Sequence, residues 1–308
     1  MNALRRAGAA FYANGPALLV ATTLLWAGNA VASRLAPGHI SPLLLTCLRW
    51  TMVLAIVGVM FRHAIAAEWR QLARAWRRVL FLGAIGYTLF NALFYAAGAY
   101  TSALNLTLFQ SCLPALILAG GALSGQARVT PLQILGMLLT MAGVAVASSH
   151  GDLSSLRNLD LNRGDVLIMI ACVLYAVYTI GLGRRPQVSG ATLFAGMALA
   201  ALLTSIPLAA GEIVAGRAIW PTDVTGAGVL LYVAVFPSLM SQMFYMRAVE
   251  IGGPDRAAMF LNLTPVFGAF MGVAMLGERF GLYEAAALAL VLGGIFIAER
   301  PGRRGRAV

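Results

Sequence analysis

The chain has 308 residues, of which 60% are hydrophobic and 11% charged. A soluble domain carries roughly a quarter charged residues, so this composition excludes one and points to a membrane protein. The net charge of +11 does not mark a nucleic-acid binder, because the arginines fall in short clusters between apolar runs, with no aromatic-interleaved basic face.

About 20 apolar residues at 1.5 Å rise cross a hydrocarbon core of about 30 Å. Ten such runs occur, at about 16–34, 42–61, 78–98, 102–123, 131–149, 164–183, 190–210, 226–246, 257–277 and 281–298. The expected fold is therefore an all-α polytopic membrane protein of ten transmembrane helices, joined by short connections with no separate soluble domain.

The first run follows Arg5 and Arg6 and contains Ala30-Val31-Ala32, which has the form of a signal-peptidase site. Its Asn29, and the return of its pattern later in the chain, favour a retained helix with Trp26, Asn29 and Ser33 on one face. The second run holds Arg49, the one arginine inside a span. Two readings of it stay open: the side chain snorkels to the nearer surface, or it is a cation facing a cavity and suits a carboxylate-bearing substrate. No acid lies at mid-membrane to neutralise it, since Asp165, Glu212, Glu250, Glu278, Glu284 and Glu299 all fall near span ends.

In the third run Tyr87, Asn91 and Tyr95 recur at four-residue intervals and form one stripe. The fourth offers Asn105, Gln110 and Ser111, followed by Pro114. The sixth offers Tyr175 and Tyr178, and the eighth a matching stripe of Ser238, Ser241, Gln242 and Tyr245. The ninth offers Asn262 and Thr264 beside Pro265. Pro114 and Pro265 sit where a proline frees the carbonyl four residues back, so both are expected helix kinks. A single Ser or Thr in a span more often bonds a neighbouring helix than a substrate. Paired stripes on corresponding helices reverse that expectation, because a shared central cavity needs lining from both sides. Trp50, Trp69, Trp76 and Trp220 are candidate interface anchors.

All 22 basic residues are arginine. Without lysine there is no Walker A loop of the chain's own and no Schiff base to retinal. Cys47, Cys112 and Cys172 lie inside apolar runs and read as reduced, packed thiols. His39, His63 and His150 lie at or beyond helix ends, so neither a heme bundle nor an HExxH zinc site is present. No cofactor and no metal are expected. Intramembrane proteolysis needs a buried Ser with His or two buried Asp, and neither set exists.

With the N-terminus in the cytoplasm, sixteen arginines fall on the cytoplasmic side: Arg5, Arg6, Arg62, Arg70, Arg74, Arg77, Arg78, Arg128, Arg184, Arg185, Arg247, Arg256, Arg300, Arg303, Arg304 and Arg306. Five fall opposite: Arg34, Arg157, Arg163, Arg217 and Arg279. That bias predicts both termini in the cytoplasm of a cell inner membrane.

Residues 1–150 and 151–308 overlay with an offset near 150. Leu25-Trp26-Ala27 falls on Leu174-Tyr175-Ala176, Phe94-Tyr95 on Phe244-Tyr245, Pro114 on Pro265, and Ala142-Gly143 on Gly293-Gly294. Each half has five spans, an odd number, so the second enters the membrane from the other side. Inverted repeats mark secondary transporters, with a midplane site between the halves.

Trp26-Ala27-Gly28-Asn29, Arg49-Trp50 and the stretch from Ile251 to Glu299, with Leu263-Thr264-Pro265-Val266-Phe267, Leu276-Gly277-Glu278-Arg279 and Gly293-Gly294, resemble the EamA family of the drug/metabolite transporter superfamily. The resemblance covers nearly the whole chain and implies ten helices, both termini inside, and export of small metabolites, often amino acids. The first half departs from the pattern, with Ser124-Gly125-Gln126-Ala127 where the second has Leu276-Gly277-Glu278-Arg279. The glutamate is thus unduplicated, which argues for a structural role at a helix end.

Aromatic and amide candidates with little charge favour neutral or aromatic amino acids, moved by alternating access without ATP. Cationic drugs and nucleotide-sugar-like metabolites are the alternatives within transporters. A channel, which would need a filter or charged ring, is more remote. The expected partners are the small-molecule substrate and membrane lipid, with no nucleic acid. The oligomeric state stays open, with a monomer favoured.

Overall fold

The computed structural model describes residues 9–123, 130–148, 162–252, 260 and 263–299. Every regular element among them is helical. Eleven helices are labelled here in chain order: α1 Gly15–Leu35, α2 Pro42–Met60, α3 Arg62–Arg74, α4 Trp76–Ala97, α5 Ala103–Leu123, α6 Pro131–Ser148, α7 Arg163–Gly181, α8 Gly190–Val214, α9 Val224–Ala248, α10 Thr264–Leu276 and α11 Leu282–Glu299. Seven of them (α1, α2, α4, α5, α7, α8 and α9) are long and apolar enough to cross a bilayer. The shorter apolar helices α6, α10 and α11 occupy the other three expected positions, and the described part of the ninth run starts at Thr264.

The helix starts follow from local chemistry. The side chains of Asn14, Ser102, Asn162, Ser189 and Asp223 each accept a bond from a first-turn backbone N–H, opening α1, α5, α7, α8 and α9. Thr130 and Gln133 bond reciprocally at the start of α6, a capping box. Gly277 ends α10 in the left-handed conformation, φ 65°, that a glycine adopts without penalty.

Residues 62–74 correct an expectation. They read as part of a connection, yet they form the amphipathic helix α3. Its apolar side chains are too few for a span, but Leu72 is buried against α8 and Ile65 packs on the same cluster. A second feature was not expected. α4 is π-helical over Ala84–Leu89 and α9 over Ala234–Met240, two wide turns 150 residues apart.

Packing follows the same offset. α1 packs on α9 and α10, while α7 packs on α4 and α5; α2 pairs with α8, and α6 with α11. The α2–α8 pair is tied at both ends. Glu212, near the end of α8, accepts from Ser41 Oγ at 2.7 Å and Leu44 N at 2.8 Å, capping α2. Glu68, on α3 just past α2, accepts from Ser189 Oγ at 2.7 Å and Ser189 N at 3.0 Å, capping α8. Glu278 likewise caps a helix other than its own, accepting from Ala103 N at 2.8 Å at the start of α5.

Candidate functional site

A cavity of about 360 Å³ lies among α1, α2, α4, α5, α7, α8, α9 and α10. One charged residue, Arg49, lines it. The side chain is buried, 5% exposed, and held from the protein interior: Nε donates to Ser238 Oγ, and Nη1 donates to Asn91 Oδ1 at 2.6 Å and to Tyr95 OH. Its guanidinium carbon lies 5.1 Å from the centre of the Trp50 ring and 5.7 Å from that of Tyr95. Among the described residues no carboxylate lines the cavity, and neither ion pair found there involves Arg49.

The groups that hold Arg49 are themselves fixed. Tyr95 donates to Asn29 Oδ1 at 3.1 Å, and Asn91 Nδ2 donates to the Tyr87 carbonyl. Ser238 donates to the Val233 carbonyl five residues back, a bond that the π-helical turn supplies. The two wide turns therefore set the geometry: one presents Tyr87 just before Asn91, the other presents Ser238.

Aromatic rings form the remaining wall. Trp50 stacks on Tyr87 with centroids 4.6 Å apart and planes within 9°. Tyr87 meets Tyr178 at 5.6 Å, Tyr178 meets Tyr175 at 5.1 Å, and Tyr175 meets Phe90 at 4.9 Å. Across the cavity Trp26 and Tyr245 lie 5.8 Å apart, with Trp26 Nε1 donating to the Pro237 carbonyl at 3.2 Å. A Cβ on Gly86 would fall within the Tyr178 ring, so this glycine lets α4 and α7 approach.

Of the side chains singled out in the sequence, Trp26, Asn29, Arg49, Tyr87, Asn91, Gln110, Tyr175, Tyr178, Ser238, Gln242 and Tyr245 line this cavity, as do Pro114 and Pro265. Four others do not. Ser33 donates to the Phe94 carbonyl at 3.1 Å. Tyr95 is buried behind Arg49, Asn105 is buried in the first turn of α5, and Ser241 donates to the Phe236 carbonyl at 3.0 Å. Asn262 lies outside the described residues. Trp50 lines the cavity and is buried, unlike the exposed Trp69, Trp76 and Trp220. Next to Pro114, α5 is interrupted at Ser111–Cys112; Pro265 lies in the first turn of α10. Sequence reasoning missed Phe90, Phe194, Thr179, Leu182 and Pro237. Pro237, a proline within a run, and Thr179, a hydroxyl within one, carried a local signal.

The model of the EamA-like transporter family matches residues 13–149 and again 162–299. The chain belongs to the EamA-like transporter family. It is accordingly a multi-pass membrane transporter of a small metabolite. Among curated proteins it is similar to the uncharacterized transporter YyaM of Bacillus subtilis (strain 168), 24% identical over 272 residues, covering 85% of this chain and 86% of that one. It is also similar to an uncharacterized transporter of Archaeoglobus fulgidus, 24% identical over 284 residues, covering 91% and 95%. A crystal structure of another protein, 22% identical, superposes with a TM-score of 0.66 over 92% of this chain and 96% of that one, a likeness of fold.

Proposed function

We propose that this transporter exports small zwitterionic metabolites, neutral and aromatic amino acids foremost, by alternating access without ATP hydrolysis. The observation that carries this reading is Arg49: a buried guanidinium, bonded to neutral groups alone, in a cavity walled by aromatic rings. Nε and Nη1 are taken by Ser238, Asn91 and Tyr95, which leaves the Nη2 amino group to offer a carboxylate charge-assisted hydrogen bonds in a water-poor site. The rings offer the substrate side chain stacking surface, and Gln242 offers an amide oxygen to its amino group. A cationic drug would meet repulsion from Arg49. A nucleotide sugar would bring more negative charge than one arginine balances.

The two family matches and the packing repeated at an offset of 150 support two five-helix halves, 1–150 and 151–308, inverted in the membrane. The arginine distribution supports both termini in the cytoplasm of the inner membrane. In that orientation the cavity lining reaches the cytoplasmic end at Leu182, the first residue after α7. The opposite end is tied by Ser33 to the Phe94 carbonyl at 3.1 Å, Arg34 to the Gly98 carbonyl at 2.9 Å, and Glu278 to α5. Such a state loads from the cytoplasm.

The test is a proteoliposome competition screen over amino acids and small drugs, run with Asn91→Ala, Tyr95→Ala and Gln242→Ala. Neutral and aromatic amino acids should compete best, and the variants should lose transport. Transport left intact in all three variants would remove the site assignment while leaving the fold untouched.

A further inference from the structure

A second concavity lies on the other side of the α8 wall. α8 places Phe194 in the central cavity and, one residue on, turns Ala195, Gly196 and Leu199 to an outer groove of about 320 Å³. The groove is bounded by Leu54 and Gly58 of α2 and by Ile65 and Trp69 of α3. Its lining is apolar apart from Arg62 at the start of α3.

Charge gathers along that rim. Arg62, Arg70 and Arg74 of α3 are exposed, and none of them pairs with a carboxylate among the described residues. Glu68, the one acid on α3, is engaged by Ser189 at the start of α8 and leaves the arginines unneutralised. Arg62, Ala66 and Trp69 follow one another along the helix face at the groove, while Arg70 and Arg74 share the neighbouring face. The exposed Trp69 and Trp76 place α3 at the depth where aromatic side chains mark the membrane–water boundary. A basic amphipathic helix there attracts anionic lipid.

We propose that this groove is a binding site for an anionic phospholipid, with an acyl chain between Gly58 and Leu199, the headgroup phosphate against Arg62, and Arg70 and Arg74 adding positive potential along the same helix. The apolar trough and the basic rim are complementary to the two ends of one such molecule, and a zwitterionic lipid brings the same phosphate but no net negative charge for the rim. The inference depends on the membrane setting and not on which metabolite fills the central cavity.

Full-length protein in non-ionic detergent, titrated with phosphatidylglycerol or phosphatidylcholine and followed by thermal unfolding and native mass spectrometry, tests it. Phosphatidylglycerol should bind and raise the Tm more than phosphatidylcholine. Gly58 lines the groove and no atom lies within 4 Å of a Cβ built on it, so Gly58→Leu directs a side chain into the groove and should abolish that binding. Arg62→Gln should weaken phosphatidylglycerol binding about fivefold and phosphatidylcholine binding less, so that the preference between them narrows. Equal binding of the two lipids, undiminished phosphatidylglycerol binding in Gly58→Leu, or equal stabilisation by soluble glycerol phosphate would overturn the proposal. Should Gly58→Leu not fold, Arg62→Gln decides: an unchanged lipid preference overturns the site, and its loss supports it.

Discussion

A guanidinium keeps its charge at every accessible pH, so burial of Arg49 must be offset by bonds instead of proton loss. Ser238, Asn91 and Tyr95 supply them, and each is held in turn by Val233, Tyr87 or Asn29. Such a cage holds the cation without cancelling its charge. Arg49→Gln should therefore lower transport of a carboxylate substrate by about tenfold or more, the scale of a lost hydrogen bond to a charged group. Arg49→Lys should not restore it, because a point charge cannot reach Asn91 and Ser238 together. Flux measured in proteoliposomes at equal protein incorporation checks both, and full activity in the lysine variant would contradict the fork. The polar residues around this cation were legible in the sequence, because a stripe such as Tyr87, Asn91, Tyr95 stands out in an apolar run. Phe90 and Phe194 were not: an apolar ring has the same sequence signature whether it faces lipid, core or cavity.

Helix positions were legible for a different reason, since apolar length alone marks a span. The two π-helical turns and α3 were not, because a widened turn has no compositional signature and α3 is too short and too basic to register as a span. α3 matters through Glu68. Its carboxyl is held below the ordinary value by hydrogen bonds from the side chains of Thr192 and Ser189 and from the Ser189 backbone. A depressed carboxylate contributes stability that is present above its unfolded pKa, about 4.3, and is lost as pH falls through the lower folded value. The Tm difference between wild type and Glu68→Gln should therefore hold steady above about pH 5 and shrink below it, as read by melting curves across pH. A difference independent of pH would show that the bonds to Ser189 do not require the charge. The α6–α11 pair gives a sharper contrast within one helix. A Cβ on Gly294 would lie 2.5 Å from the Gly136 carbonyl and 2.7 Å from Thr140 N, whereas one on Gly293 meets nothing within 4 Å. Gly294→Ala should destabilise by roughly 1–3 kcal/mol through overpacking against backbone. Gly293→Ala should be neutral or stabilising by up to about 1 kcal/mol, from helix propensity. Thermal unfolding of the two variants in the same detergent separates them, and equal Tm values would refute the close approach.

At the scale of the whole molecule, what drives transport depends on what the cavity lacks. A proton-coupled carrier holds a carboxylate or histidine in its bundle to carry the proton between two openings. Among the described residues no Asp, Glu or His lines this cavity, and the one charged side chain that does is an arginine that does not titrate. The acids Glu68, Glu212 and Glu278 are instead spent on helix starts, and Asp223 accepts from the Gly226 backbone and pairs with His39 at the start of α9. Those bonds, led by the Gly226 N–H, hold the Asp223 carboxyl below its ordinary range. Each of these groups braces an end of a helix, and none of them lines the cavity. Transport should accordingly run down the substrate gradient itself. Proteoliposomes loaded with a competing amino acid and given no ion gradient should take up labelled substrate, and an imposed proton gradient or an ionophore should change the initial rate by less than about twofold, a shift worth under 0.5 kcal/mol. Uptake that appears only with a proton gradient would mean that the substrate's own ionisable groups, or a residue outside the cavity, carry the proton.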